Sequence, residues 1–189
     1  MALAPTKLSP WRRIDGPSER VRTGPVAAAV STWEASTGAI RLETLSVAAT
    51  DWCNVVAVTR EDEVVLVRQF RFGTGAISLE TPGGVVDPGE APESAAVREL
   101  LEETGYAGSS PIRLTRVHPN PALQSNEAHG FLVHNATFSS DATPDHGEEL
   151  EVVLVPASEI PSLIAEGAIS HALIVLTLQA WLATRAKAP

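Results

Sequence analysis

Cysteine is almost absent from this chain: Cys53 is the single thiol in 189 residues. That excludes an internal disulfide framework and any zinc site built from several cysteines. Long apolar runs are missing too. Although 44% of the chain is hydrophobic, no uninterrupted stretch reaches the roughly 20 residues that cross a bilayer as a helix. The opening MALAPTKLSPWRR has no apolar segment of the kind a secretory signal carries, so the expected location is the cytoplasm. Positive charge is scarce: 14 Lys and Arg stand against 23 Asp and Glu, a formal net charge of −9. This opposes non-specific binding to nucleic acid or to an anionic membrane. It also sets a problem for any anionic substrate, which bound metal ions would solve by reversing the local field. We find no internal repeat and no low-complexity segment.

The length suits one ordinary domain with a sizeable core. Residues 1–10 hold two prolines and no periodic pattern, and read as a loose tail. Residues 11–49 read as an N-terminal strand extension. Its apolar runs VAAAVSTW and IRLETLSV predict a strand pair, with a turn near Ser36–Gly38. NVVAVTR and EVVLVRQF then flank the acidic turn Glu61–Asp62, a hairpin rich in β-branched residues. A short strand over Ile77–Thr81 leads into Pro82-Gly83-Gly84. Further strands are predicted at Ile112–Val117, Gly130–Thr137 and Leu150–Val155, and helices at Ser158–Glu166 and His171–Thr184. Strands dominate, with helices distributed among them, which predicts a mixed sheet covered by helices.

One helix stands out. It starts near Pro92, a favoured first-turn residue, and stops at Gly105. Glu99, Glu102 and Glu103 crowd its last two turns. A helix C-terminus carries about half a negative charge and disfavours each acid there by roughly 0.3–1 kcal/mol. Carboxylates three and four residues apart also repel. A solvated acidic helix end is the plain reading; a divalent cation held there is the sharper one. Magnesium takes hard oxygen ligands, and Glu99 and Glu103 lie one helical turn apart. Arg98 can hold neighbouring carboxylates by charge-assisted hydrogen bonds. Gly83 and Gly84 let the backbone approach closely, so a main-chain carbonyl from Gly83 can complete the coordination.

The wider pattern is Gly84, five residues, Glu90, seven residues, then Arg98-Glu99-Leu100-Leu101-Glu102-Glu103-Thr104-Gly105-Tyr106. It resembles the signature box of the Nudix hydrolases. Every defining position is filled, and Tyr106 stands where an aliphatic residue is usual. The resemblance implies an α/β/α sandwich with a mixed sheet over residues 50–185. It implies hydrolysis of a diphosphate linked to another group, with Mg2+ or Mn2+ as cofactor. On it, Glu99 and Glu103 are metal ligands together with Gly83, and Glu102 and Arg98 are catalytic.

Three features are similar to the ADP-ribose and nucleotide-sugar pyrophosphatases within that family. VLVRQFRFGTGAISLETPGGVVDPGE resembles their entry to the box. Pro121 lies fifteen residues past Tyr106, near the spacing of a substrate-site proline. GEELEVVLVPASEIPSLIAEGAISHALIVLTLQAWL resembles their C-terminal part, where an acidic loop supplies a catalytic or metal-binding glutamate. Glu148 is the first match for that glutamate and Glu149 the second. Pro82-Gly83-Gly84 departs from the proline-alanine-glycine common in ADP-ribose enzymes, so ADP-ribose stands as one member of a substrate class. Nucleoside triphosphates or dinucleoside polyphosphates are the alternative substrates, and a non-catalytic nucleotide sensor is the alternative class. The family also implies a homodimer built through the N-terminal strands.

Other residues have two readings each. Arg71 can grip two phosphate oxygens or be a plain strand-end arginine; Arg68 is a weaker case of the same choice. Glu80 can accept from a ribose or face solvent. His118 and His129, flanking the loop HPNPALQSNEAH, are proton-shuttle candidates or ordinary loop histidines. Asn126 and Glu127 lie in the same loop. Trp33 and Trp52 can stack a base but more often serve core or interface. Cys53 reads as a buried small hydrophobe.

Overall fold

The computed structural model describes residues 9–144, 147 and 149–186. It contains two compact units. The first runs to Ala49 and includes Asn120–Asn126; the second comprises Thr50–Pro119 and the chain from Glu127 onward.

The first unit is an antiparallel sheet in the order β1 (Arg12–Thr23), β2 (Val26–Glu34), β3 (Arg41–Ala48). The predicted pair is β2 and β3, registered from Ala27↔Ala48 to Glu34↔Arg41. The additional strand β1 was not legible. Its sequence RRIDGPSERVRT is exposed along its whole length, so no face needed an apolar alternation. Its register also shifts between Asp15 and Ser18, a bulge around Gly16 and Pro17 that lets a proline sit in an edge strand. Segment 120–126 attaches to β3, with Val47 N–H donating to the Leu123 carbonyl at 2.7 Å.

The second unit is a mixed sheet covered on both faces. Its strands are β4 (Trp52–Thr59), β5 (Glu63–Arg71), β6 (Ala76–Glu80), β7 (Tyr106–Ala107), β8 (Ile112–Val117), β9 (Ala128–Phe138) and β10 (Leu150–Pro156). The order is β10-β5-β4-β9-β7, with β6 on β5 and β8 on β9. β4 and β9 are parallel from Trp52↔Ala128 to Val58↔His134; the other pairings are antiparallel. Strands buried on both faces read as continuous apolar runs, and Val55, Val56, Ala57 and Val64–Val67 are wholly buried. Alternate residues serve opposite layers. Cys53, Val55, Ala57, Val65, Phe131 and Val133 pack with Ala95, Ala96 and Leu100 of α1 (Pro92–Thr104). Val56, Val58, Leu66 and Leu132 pack instead with Ile160 of α2 (Ile160–Ala165) and with Ile174, Leu178 and Trp181 of α3 (Ala172–Arg185). Each such aliphatic side chain contributes about 1.5–3 kcal/mol when fully buried. The second unit is thus the expected α/β/α sandwich, and the first is the N-terminal antiparallel extension.

Two elements of the second unit also differ from expectation. The helix predicted over Ser158–Glu166 is the shorter α2, because Pro161 confines the start to its own first turn. β7 has two residues, too short for any periodicity.

What matters for the site is how the β6–α1 loop is fixed. It runs beside β4 and supplies backbone partners as a strand would. Val55 N–H donates to the Pro82 carbonyl, Cys53 N–H to the Gly84 carbonyl and Val86 N–H to the Asp51 carbonyl, each at 2.9 Å. Three backbone hydrogen bonds therefore fix the Pro82–Val86 backbone along the start of β4.

Candidate active site

Gly84 is a glycine for a steric reason. A Cβ built there would lie 2.5 Å from Glu99 Oε1 and 2.6 Å from Glu99 Cδ, well inside van der Waals contact. The missing side chain makes room for the Glu99 carboxylate against the loop. One residue earlier, Gly83 N–H donates to Glu103 Oε2 at 2.8 Å. The two carboxylates that sequence spacing places one helical turn apart thus line the same two-residue stretch. Glu103 is buried, at 3% exposure. At the helix end, Gly105 adopts the left-handed conformation (φ 74°) and its N–H donates to the Leu101 carbonyl, a standard glycine cap. The last turn holds no basic residue, although Thr143 N–H donates to the Glu102 carbonyl at 2.8 Å.

Arg98 organises the remaining acids. Its Nε and Nη2 donate to Glu90 at 3.1 and 2.9 Å. Nη1 donates to Glu99 at 2.9 Å and to Glu102 at 3.0 Å. Nη2 also reaches the Val85 carbonyl at 3.0 Å. One guanidinium thereby fixes three glutamates and the loop backbone together. The Arg98 hydrogen bonds hold the Glu90 carboxyl below its ordinary pKa, and these glutamates raise that of Arg98. Four carboxylates against one cation leave a local formal excess of three negative charges. With Glu99 seated in the space at Gly84, this all-oxygen donor set fits a hard divalent cation.

A second ion pair lies on β5 and β6. Arg71 Nε and Nη2 grip Glu80 at 2.8 and 2.7 Å, a two-pronged pair that joins two residues given separate roles by sequence. Glu80 is 1% exposed. Burial pushes its pKa up, yet Arg71, Ser78 and His171 together outweigh this and hold it below the ordinary value.

The other candidates are dispersed. Arg68 is an exposed partner of Glu151 across β5 and β10, at 2.9 Å. Glu149 is exposed, and Glu148 lies outside the described residues. Pro121 belongs to the first unit, where it lines a groove of about 770 Å³ with Trp11, Trp33, Leu42 and Leu45. Asn126 is buried in that unit, and His118 is exposed in the second. Trp52 is half-buried at the start of β4. Burial pushes the Cys53 thiol up to about 12, so it is an inert hydrophobe at neutral pH. His129 and Glu127 do converge, but with Asp51. Sequence reading passed over Asp51, since a single acid before a strand carries no pattern.

The description NUDIX domain matches residues 53–178. The mouse ADP-sugar pyrophosphatase is 34% identical over 153 residues, which cover 74% of this chain and 67% of the mouse protein. The ADP-ribose pyrophosphatase of Bacillus subtilis is 32% identical over 111 residues, 58% of this chain and 60% of that enzyme. The GDP-mannose pyrophosphatase of Cronobacter sakazakii is 31% identical over 134 residues, covering 66% and 70%. The aligned stretches thus span about two thirds of these relatives. A crystal structure of an ADP compounds hydrolase superposes with a TM-score of 0.84 at 22% identity, covering 97% of this chain and 100% of that one, which bears on the fold. With the box complete at Gly84, Glu90, Arg98, Glu99, Glu102, Glu103 and Gly105 and the matching profile laid over the same sheet, the chain belongs to the Nudix family of pyrophosphohydrolases.

Proposed function

We propose that the protein hydrolyses the diphosphate of nucleoside diphosphate sugars, ADP-ribose among them, to a nucleoside monophosphate and a sugar phosphate, with Mg2+ or Mn2+ as cofactor. The observation that carries this reading is the placement of Glu99 and Glu103 against Gly84 and Gly83 by a loop hydrogen-bonded to β4. A bound divalent ion would neutralise the diphosphate and activate water. The chain's own part is positioning. Glu99 and Glu103 offer ligands, with the Gly83 carbonyl as a further one. Arg98 keeps Glu90, Glu99 and Glu102 from moving apart, and such supporting contacts are worth 10–100-fold in metal affinity or activity. Glu148 or Glu149 is the proposed base or additional ligand. Arg71 and Pro121 are proposed to contact substrate, Arg71 while paired with Glu80. The names of the mouse, Bacillus and Cronobacter relatives support the substrate class. A panel of ADP-ribose, GDP-mannose, other nucleotide sugars, nucleoside triphosphates and dinucleoside polyphosphates, with products identified, tests it. Cleavage confined to the last two groups would transfer the assignment to the alternative substrates.

We further propose a cytoplasmic homodimer. The lone buried Cys53 suits a reducing compartment. No helix among the described residues is long and apolar enough to cross a membrane. The first unit exposes Trp11, Leu42 and Leu45 at 41–51%, and all three line one groove; large apolar side chains grouped at a surface suit an interface. Light scattering at micromolar concentration should give twice the chain mass of 20.0 kDa; a monomer would remove this proposal.

A further inference from the structure

At the opposite end of the β4–β9 pairing from Thr59, Asp51, Glu127 and His129 bring three ligand atoms within 4.8 Å of one another. His129 Nε2 lies 3.5 Å from Asp51 Oδ2 and 4.0 Å from Glu127 Oε2. The backbone fixes the group, since Asp51 Oδ1 accepts from Glu127 N–H at 2.8 Å. Cys53 and His129 are parallel neighbours in register. The His129 side chain is 4% exposed, and neither ring nitrogen has a hydrogen-bond partner. A buried imidazole left this way is costly, and its Nε2 faces two carboxylates at more than hydrogen-bond length.

We propose that Asp51, Glu127 and His129 form a second metal site, distinct from the acidic helix end, for a borderline divalent transition metal such as zinc. Zinc binds imidazole nitrogen and carboxylate oxygen at about 2.0–2.2 Å in tetrahedral geometry, which sets two ligands of one ion roughly 3.4 Å apart. The His129–Asp51 distance of 3.5 Å already satisfies this, and the Glu127 carboxylate at 4.0 Å need move in by only about half an ångström. The mixed nitrogen–oxygen set favours zinc or cobalt over magnesium, which prefers oxygen alone. Asp51 and Glu127 remain partly exposed, which leaves a path for entry. Arg116 competes, with Nε donating to Glu127 Oε2 at 2.8 Å. Its side chain is 58% exposed, and an exposed pair of this kind yields readily to a bound cation. The site would tie the starts of β4 and β9 together. The Asp51 carbonyl also holds Val86 N–H, so such an ion would stiffen the strand that anchors the Gly84 loop.

The test is a cobalt(II) titration of full-length protein, read by visible absorption and by displacement with zinc. In Glu103→Gln, which disables the helix-end site, a nitrogen-bearing cobalt spectrum should persist at one equivalent. In His129→Gln it should vanish, with affinity lowered at least tenfold. Absence of the spectrum in the wild type overturns the proposal, as does an identical spectrum in His129→Gln. Should His129→Gln fail to fold by circular dichroism, the double variant Asp51→Asn, Glu127→Gln decides. Unchanged cobalt affinity there overturns the site, and a tenfold loss supports it. Because the readout is binding, inactivity on nucleotide sugars would leave this result standing.

Discussion

Glu103→Gln is expected to lower turnover roughly a thousandfold while leaving the apo protein at least as stable as the wild type. The two halves of this result have different causes. A Lewis-acidic ion supplies several kcal/mol of transition-state stabilisation, and each 1.36 kcal/mol is tenfold in rate. Losing one charged ligand should forfeit much of that. The fold has little reason to suffer. The glutamine carbonyl can still accept from Gly83 N–H, the contact Glu103 makes at 2.8 Å. Its neutrality also removes a carboxylate from a helix terminus that holds no basic residue, where each acid is disfavoured by roughly 0.3–1 kcal/mol. A residue that costs stability and supports activity is what a functional site predicts. Glu93→Gln on the same helix is the control: Glu93 sits in the first turn, paired with exposed Arg113, and its loss should leave turnover unchanged. Turnover at saturating magnesium and a metal-free thermal melt check the outcome. Full activity in Glu103→Gln would remove it from the metal site. A large drop in melting temperature would make it a structural residue instead.

That the shared placement of Glu103 and Glu99 was legible in sequence reflects how local their geometry is. Positions i and i+4 on a helix face one another whatever the rest of the fold does, and the box fixes Gly84 and Arg98 at set distances from them. The β4–β5 hairpin was legible for a similar reason, since burial on both faces turns it into an unbroken aliphatic run. Legibility fails where the determining contact is remote. β1 pairs through its backbone and buries no side chain, so its sequence looks like a polar loop. Arg71 and Glu80 looked like independent ligands, because nothing local shows that β5 and β6 fold back with Arg71 opposite Ala76 and Val67 opposite Glu80. Asp51, Glu127 and His129 meet only because β4 and β9 run parallel in one register, across more than seventy residues of chain.

The Arg71–Glu80 pair therefore makes a prediction the sequence could not. Arg71→Ala should destabilise the protein by about 1–3 kcal/mol at pH 7, since a buried carboxylate loses its charged partner while Ser78 and His171 still face it and Arg71 itself is partly solvated. In the wild type the folded pKa of Glu80 lies below its ordinary value of 4.5. Its stabilising contribution is thus complete above the unfolded pKa and is lost as pH falls through the folded one. Without Arg71 the balance moves toward burial. Burial, already the largest influence on Glu80, is then opposed only by Ser78 and His171, so the pKa moves upward and the folded variant keeps its proton to higher pH than the folded wild type. The wild-type and variant stabilities should accordingly converge as pH falls from 7 toward 5. Urea denaturation at both pH values measures this directly. A gap that stays constant with pH would mean that Arg71 acts through packing rather than through the Glu80 charge. A gap that narrows, together with a raised KM for nucleotide sugar where the variant remains folded, would show that one guanidinium both neutralises the buried acid and offers its exposed face to phosphate. The 41% exposure of the Arg71 side chain beside a fully buried Glu80 permits both roles at once.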